Sequence, residues 1–325
     1  MSNLLAVKRN FDEYLEYKHF NWYITKRCNY DCSYCSDMLH DKISKRPSLE
    51  KMQLAASNIF KHIPPSNCFF DFSGGEPTII PDFDKFLEWL KVEKNIRRVG
   101  FITNGTRNFN YYNKIMKYND HITISYHFEY ANDEKLLDKI IRLHKIYDKK
   151  IRVQIMYHAK YFERLKNVVK TLKDNNVFYS IREIREKAAS PDFDPDAIAY
   201  SEEMISWMKD NEPKISNKML GRGLTTEGEI ELPSGNYMIH HKLNDFKGWY
   251  CWIGLDYFQI WFDGTINRGG CGVGKSLGNV YETINWPSEP IKCTKDGCFC
   301  GPEIFTRKVS DLKYKEWIDN VPSKK

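Results

Sequence analysis

Trp22-Tyr23-Ile24-Thr25-Lys26-Arg27-Cys28-Asn29-Tyr30-Asp31-Cys32-Ser33-Tyr34-Cys35 passes directly from an aromatic and β-branched stretch into three cysteines spaced C-x3-C-x2-C. The opening residues, Trp22–Thr25, predict a short strand, and the cysteines then occupy the loop at its carboxyl end. Three thiolates on one tight loop hold three corners of a [4Fe–4S] cube and leave the fourth iron without a protein ligand. A metal centre with an open position can bind a small molecule and react with it. Tetrahedral zinc is the competing reading, since Cys28, Cys32, Cys35 and His40 offer three thiolates and an imidazole. Common zinc patterns come as two separated pairs, so the triplet leans toward iron–sulfur.

Strand and helix patterns alternate outward from this segment. Further strands are predicted at Phe69–Ser73, Arg98–Thr103, Ile122–Tyr126, Ile151–Met156 and Phe178–Ile184, all short and near-continuously apolar, as buried parallel strands are. Between them lie amphipathic stretches: Leu49–Ile63, with Ser48 as N-cap and Pro64 as stop, then Asp133–Tyr147 and Tyr161–Asn175. On Asp133–Tyr147, Leu136, Leu137, Ile140, Ile141 and Tyr147 share a face. Six such units in series predict a parallel α/β fold, either an open sheet or a barrel. The alternation ends near Lys187, and 188–195 reads as a connector. A helix is expected over Ile198–Lys209. Tyr257–Phe262 and Thr265–Arg268 around Asp263-Gly264 read as a hairpin with a type I′ turn. Two regions are expected, 1–190 and 191–325.

The chain has 325 residues, 42% hydrophobic and 28% charged, the composition of a globular protein. No run approaches the ~18 apolar residues of a membrane span, and the first residues have no signal-peptide core, so a cytoplasmic location is expected. In a reducing compartment the nine cysteines point to metal binding rather than to disulfides. The net charge of +6 is scattered; it suits an anionic substrate or an acidic redox partner and does not indicate nucleic acid.

The triplet, with the aromatic Tyr34 before its last cysteine, resembles the signature of the radical SAM superfamily. Ser73-Gly74-Gly75-Glu76-Pro77 resembles that family's GGEP motif, and Thr103-Asn104-Gly105 and Ser125-Tyr126-His127 are similar to its positions near the cofactor. These motifs fall at the carboxyl ends of consecutive predicted strands, where parallel α/β barrels assemble their sites. The resemblance spans about residues 18–185. It implies a partial (β/α)6 TIM-like barrel, a [4Fe–4S] cluster on Cys28, Cys32 and Cys35, and S-adenosylmethionine (SAM) bound to the open iron. It implies a SAM pocket that includes Tyr34, Gly74, Gly75, Glu76, Asn104 and Ser125, with Gln154 and a buried Arg182 as weaker members. Glu76 would accept from the SAM ammonium or from a nearby donor. The implied reaction is reductive cleavage of SAM to a 5′-deoxyadenosyl radical that takes a hydrogen atom from a substrate, with a flavodoxin- or ferredoxin-type protein as electron donor.

Five further cysteines, Cys251, Cys271, Cys293, Cys298 and Cys300, lie in the second region. With the hairpin glycine Gly264 they resemble the SPASM and Twitch domains of radical SAM enzymes, smaller cysteine-rich domains that carry auxiliary clusters. The interval from Gly264 to Cys271 is longer than usual there, and a full SPASM domain has seven cysteines. A Twitch-like domain with one auxiliary [4Fe–4S] cluster is therefore expected, on Cys251, Cys271, Cys298 and Cys300. Cys293 is the substitute ligand or a candidate hydrogen donor, and a four-cysteine zinc site is the alternative. Cys68, ahead of the second strand, reads as a buried structural residue. Only 27 residues precede Cys28, too few for a leader-binding domain, which favours a small polar substrate such as a sugar, cyclitol or nucleotide over a ribosomally made peptide. A zinc-stabilised, non-catalytic binding protein is the reading of a different class.

Overall fold

The computed structural model describes residues 3–9, 17–184, 200–211, 221–233, 235–299 and 301–320. In chain order the elements that matter here are β1 (Leu4–Arg9), β2 (Lys18–Thr25), α1 (Leu49–Phe60), β3 (Cys68–Gly74), α2 (Phe83–Glu88), β4 (Arg98–Thr103), α3 (Phe109–Ile115), β5 (His121–His127), α4 (Asp133–Tyr147), β6 (Ile151–Tyr157), α5 (Phe162–Asp174), β7 (Phe178–Glu183) and α6 (Glu202–Asn211). They continue as β8 (Gly221–Thr225), β9 (Gly228–Leu232), β10 (Tyr250–Cys251), β11 (Tyr257–Ile260), β12 (Thr265–Asn267), β13 (Gly278–Asn279), β14 (Ile291–Lys292) and β15 (Lys308–Val309). The chain divides into two compact units, Tyr23–Gln53 with Asp71–Lys214, and Met1–Trp22 with Leu54–Phe70 and Ile215–Lys325.

The parallel strands run in the order β2-β3-β4-β5-β6-β7, the first unit holding the carboxyl ends of β2 and β3 and all of β4–β7, and β7 is last in the row, so the sheet is an unclosed, partial barrel. Its strands are not apolar throughout. On β5, β6 and β7, Ile122, Ile124, Tyr126, Val153, Ile155, Tyr157, Tyr179 and Ile181 are buried. The alternate positions carry Thr123, Ser125, His127, Arg152, Gln154, Met156, Ser180 and Arg182, paired as Thr123↔Arg152, Ser125↔Gln154 and His127↔Met156, then Gln154↔Ser180 and Met156↔Arg182. Successive side chains point to opposite faces, so one face is an apolar bed and the other is polar. The expectation of strands buried on both sides fails for β6 and β7, where burial alternates, whereas β3, β4 and β5 are buried at most positions on both faces.

Helices cover the apolar face. α4 buries Leu136, Ile140 and Leu143, while α5 buries Phe162, Leu165, Val168, Val169 and Leu172. α4 begins where Asn132 accepts from the Lys135 amide (3.0 Å). Its Asp133 accepts from Tyr126 Oη on β5 (2.6 Å) and from both arms of Arg164 on α5, so one carboxylate ties two helices to the strand beneath. α1 stops at Phe60, three residues before its expected end, where the amide of His62 bonds to the third carbonyl back.

In the second unit an antiparallel sheet has the order β14-β10-β15-β1-β8-β9. β2 starts earlier than its local pattern predicts because His19–Trp22 pair in parallel with Tyr257–Ile260, a partner more than two hundred residues away. The β11–β12 hairpin does not turn through a type I′ dipeptide. The Gly264 amide bonds to Trp261 O (2.8 Å) and the Trp261 amide to Thr265 O (2.9 Å). Gly264 is at φ +89° while Asp263 keeps a negative φ, so the positive-φ residue follows the turn, as in a three-residue loop with a glycine bulge. Cys68 is fully buried, as expected.

Two expectations about stability follow. Gly100 lies under the His121 ring, which an added Cβ would strike, and His121 is held by Asp71 (3.5 Å). Gly100→Ala should cost about 1–3 kcal/mol by overpacking, read as a lowered urea midpoint. Burial alone would raise the Asp133 carboxyl, but the bonds from Arg164 and Tyr126 and the Arg164 charge hold it below the usual range. Its contribution is therefore present at neutral pH and lost as pH falls through the depressed value. Asp133→Asn should be less stable than wild type at pH 7, and the gap should narrow toward pH ~3; a gap that does not depend on pH would contradict the assignment.

Candidate active site

The cysteine loop is rooted in backbone. The Cys28 amide donates to Asp41 O and the Asp41 amide to Lys26 O (2.8 Å each). Cys32 and Cys35 sit on one turn, closed by Cys35 N to Cys32 O (3.0 Å). The Tyr30 amide points at Cys28 Sγ (3.3 Å), a donor that suits a thiolate.

The end of β5 and the residues just past it hold the far side of the loop. The Ser33 amide and hydroxyl donate to Glu129 (2.8 and 2.5 Å), Tyr130 Oη donates to Asp31 O (2.9 Å), and Tyr130 stacks on Tyr30 at 4.6 Å. Tyr34 Oη lies 2.6 Å from His127 Nδ1, with Cys32 Sγ at 3.6 Å from the same nitrogen. Burial lowers His127 to about 4 and raises Tyr34 far above its ordinary value, so the phenol donates to a neutral imidazole.

Gly74 and Gly75 press against the exit of β2. A Cβ on Gly75 would strike the Arg27 carbonyl, Gly74 is at φ +110°, and the Gly75 amide donates to Thr25 O (2.8 Å). The Gly75 amide is thus spent on the root of the cysteine loop. Glu76 is fully buried. Its Oε1 accepts from the Thr78 amide (3.0 Å), Thr78 Oγ1 (2.6 Å) and Thr103 Oγ1 (2.8 Å), and its Oε2 from the Asn104 amide (2.6 Å). Burial pushes its carboxyl up and the four donors pull it down. Of the two kinds of donor expected for Glu76, the structure supplies the nearby one. Asn104 passes the linkage on, donating from Nδ2 to Asn29 Oδ1 (2.8 Å) and reaching 3.9 Å from Cys28 Sγ.

Ser125 is buried and shares a ladder row with Gln154. Arg182, on the last strand of the row, is exposed rather than buried. Glu129 and Asn29 are site residues that the motifs do not single out, and His127, which closes the Ser125-Tyr126-His127 motif, takes its role only here, as acceptor from Tyr34. Alternation places His127 two positions beyond Ser125 on the same face; no pattern marks Glu129.

The three thiols fit a cluster better than an ion. Burial, reinforced by neighbouring negative charge, raises Cys28, takes Cys32 to about 12 and Cys35 to about 11, a cost that binding to cationic iron removes. Among the described residues no three His, Cys, Asp or Glu side chains close on one ion position, whereas a cube offers each thiolate its own iron. His40, the fourth zinc ligand considered, has its ring nitrogens on Ser36 O and Asp31 (3.2 Å each).

In the second unit Cys251 lies within electrostatic reach of Cys293 and Cys298, and Cys271 of Cys251 and Cys298. Burial first pushes Cys251 up to about 11, with the buried Lys308 ammonium opposing it and the neighbouring thiols adding to it; burial, then the Glu303 carboxylate ahead of the thiols, pushes Cys271 up to about 12. Glu303, also buried, accepts from the Gly270 and Cys271 amides. Cys300 lies outside the described residues.

Glu76→Gln would set an amide N–H₂ against the donors that now meet the carboxylate. A loss of about 1–3 kcal/mol in urea unfolding is expected; an unchanged midpoint would show that the clamp does not stabilise the fold.

The Radical SAM superfamily model matches residues 22–182. A GTP 3′,8-cyclase of Psychromonas ingrahamii is 30% identical over 97 residues, covering 30% of this chain, and the match spans 27% of that enzyme's length. Among solved structures, Streptococcus suis SuiB aligns with a TM-score of 0.54 at 15% identity, over 84% of this chain and 66% of its own. Native anSMEcpe, solved with bound AdoMet and the Cp18Cys peptide, aligns with a TM-score of 0.52 at 15% identity, over 82% and 78%. At such identities the structures establish the fold, and the family match supplies the chemistry: the chain is an enzyme of the radical SAM superfamily.

Proposed function

We propose that Cys28, Cys32 and Cys35 hold a [4Fe–4S] cluster whose open iron takes SAM, and that the enzyme removes a hydrogen atom from a small polar metabolite. The observation that carries this reading is the convergence within one unit of the thiol loop, the Glu76 clamp, Asn104 and His127 at the carboxyl ends of β2–β5. When bound, the cluster and SAM together supply a 5′-deoxyadenosyl radical able to cleave an unactivated C–H bond. The protein supplies position and exclusion of water. Asn104 and the Tyr30 amide steady Cys28; Tyr34 and His127 brace Cys32. Ser125, Gln154 and Arg182 line the polar face toward SAM and substrate, with Tyr34, Gly74 and Gly75 at the adenosyl and methionyl ends. That polar face favours a sugar, cyclitol or nucleotide as substrate.

The second region, 191–325, reads as a Twitch-like domain with an auxiliary [4Fe–4S] cluster on Cys251, Cys271, Cys298 and Cys300, and Cys293 as substitute ligand or hydrogen donor. Mutual electrostatic reach among four of these five cysteines supports it. An acidic flavodoxin or ferredoxin suits the positive net charge as electron donor in the cytoplasm.

Anaerobic reconstitution should give about eight irons per chain, two four-iron clusters, with one reduced EPR signal shifting on SAM addition and 5′-deoxyadenosine formed under reduction. Cys28→Ala should abolish that product. About four irons would remove the auxiliary cluster alone; zinc without iron would overturn the whole reading.

A further inference from the structure

The polar face of β5–β7 carries more than SAM contacts require. Below the mouth its rows read His127–Met156–Arg182, Ser125–Gln154–Ser180 and Thr123–Arg152–Phe178. No acidic side chain occurs in the three rows. Asp71, an acid at the floor of the sheet, is turned to His121 (3.5 Å). Arg152 is exposed, at the second position of β6, and among the described residues its side chain forms no ion pair or hydrogen bond. Phe178, its cross-strand partner, is 42% exposed.

An unpaired guanidinium beside an open aromatic ring and a row of neutral donors and acceptors matches an anion carried on a short polar skeleton. The guanidinium takes a phosphate or carboxylate through two parallel bonds. The ring gives the skeleton an apolar surface to lie on. Four residues of strand, about 13 Å, separate the Arg152 row from the His127 row, and the Arg152 side chain itself spans part of that distance. A molecule anchored there reaches back along Gln154 and Ser180 toward the cysteine loop.

We propose that Arg152 anchors the anionic group of the substrate, so that the substrate class is a small polyol or sugar bearing a phosphate or carboxylate; this rests on the radical SAM reading of the same site. The anion fixes which end enters first, and the neutral rows present the hydroxyl-bearing carbons toward the mouth.

The test is isothermal titration calorimetry on the reconstituted full-length protein with SAM, using glucose 6-phosphate, gluconate and glucose as probes. Binding of either anion with no heat from glucose supports the proposal, and the anion that binds tells phosphate from carboxylate. Arg152→Gln should weaken that binding at least about tenfold and Arg152→Lys by less. Iron content and thermal midpoint of each variant establish that it is folded and loaded. Equal binding of glucose, no binding of either anion, or unaltered affinity in a folded Arg152→Gln protein would overturn the anchor. Iron content and the SAM-dependent EPR change of the wild type, measured on the same sample, report on the radical reading separately, so either can fail alone.

Discussion

The buried carboxylate of Glu76 is the joint on which the site depends. It takes four hydrogen bonds, from Thr78 just past β3, from the Thr103 hydroxyl that ends β4 and from the Asn104 amide beyond it, while its own amide bonds to Arg27 O at the exit of β2 (3.0 Å). Three strand ends are thereby set at one level. Removing a carboxylate from water costs several kcal/mol, and the four donors offset part of it, leaving the carboxyl above its ordinary value. The net effect is on geometry more than on stability: Asn104, held by its amide, is aimed at Asn29 and Cys28. The cysteine loop has little regular structure of its own, so its shape is imposed by these neighbours and by Glu129, Tyr130 and His127 on the opposite side.

The legibility of the sequence followed the range of the interactions. β4 and α4 match their expected limits residue for residue because their signals are local: a β-branched run in one case, and an Asn cap with an apolar stripe in the other. β2 was under-read because its first half is paired by β11, a contact between distant parts of the chain that no local pattern contains. The hairpin type was misread because Asp-Gly serves two turn families, and the choice depends on whether Asp263 or only Gly264 takes a positive φ. The cysteine triplet was marked by its spacing. Glu129 was not, since a lone exposed-looking acid after a strand carries no signal until the Ser33 loop is folded onto it.

The alternation on β5–β7 departs from the near-continuously apolar strands that the local sequence suggests. A parallel strand in a doubly covered sheet is apolar at every position, and the runs Ile122–Tyr126 and Ile151–Met156 look that way because aromatic and branched residues dominate them. The burial pattern separates the positions that lie under α4 and α5 from those that do not. Thr123, Ser125, Gln154 and Ser180 would be costly between two helical layers, where each hydroxyl or amide needs a partner. Here Thr123, Gln154 and Ser180 stay half-buried, and Ser125 alone of the four is buried.

The same alternation gives the two arginines of that face different meanings. Arg182 stands in the row of His127, level with the cysteine loop, where a cation meets whatever the loop binds. Arg152 stands two rows lower, beside Phe178, too far down the strand to serve the loop directly. A single ligand lying along β6 passes both rows, with its charge at one end and its neutral carbons at the other. Strand register thus orders the face by depth: cluster-bearing loop at the top, neutral polar rows in the middle, and an anion anchor beneath. A chain whose radical chemistry must act on one carbon among several similar ones needs an asymmetry of this kind, because hydroxyls alone repeat along a polyol while a phosphate or carboxylate occurs at one end only.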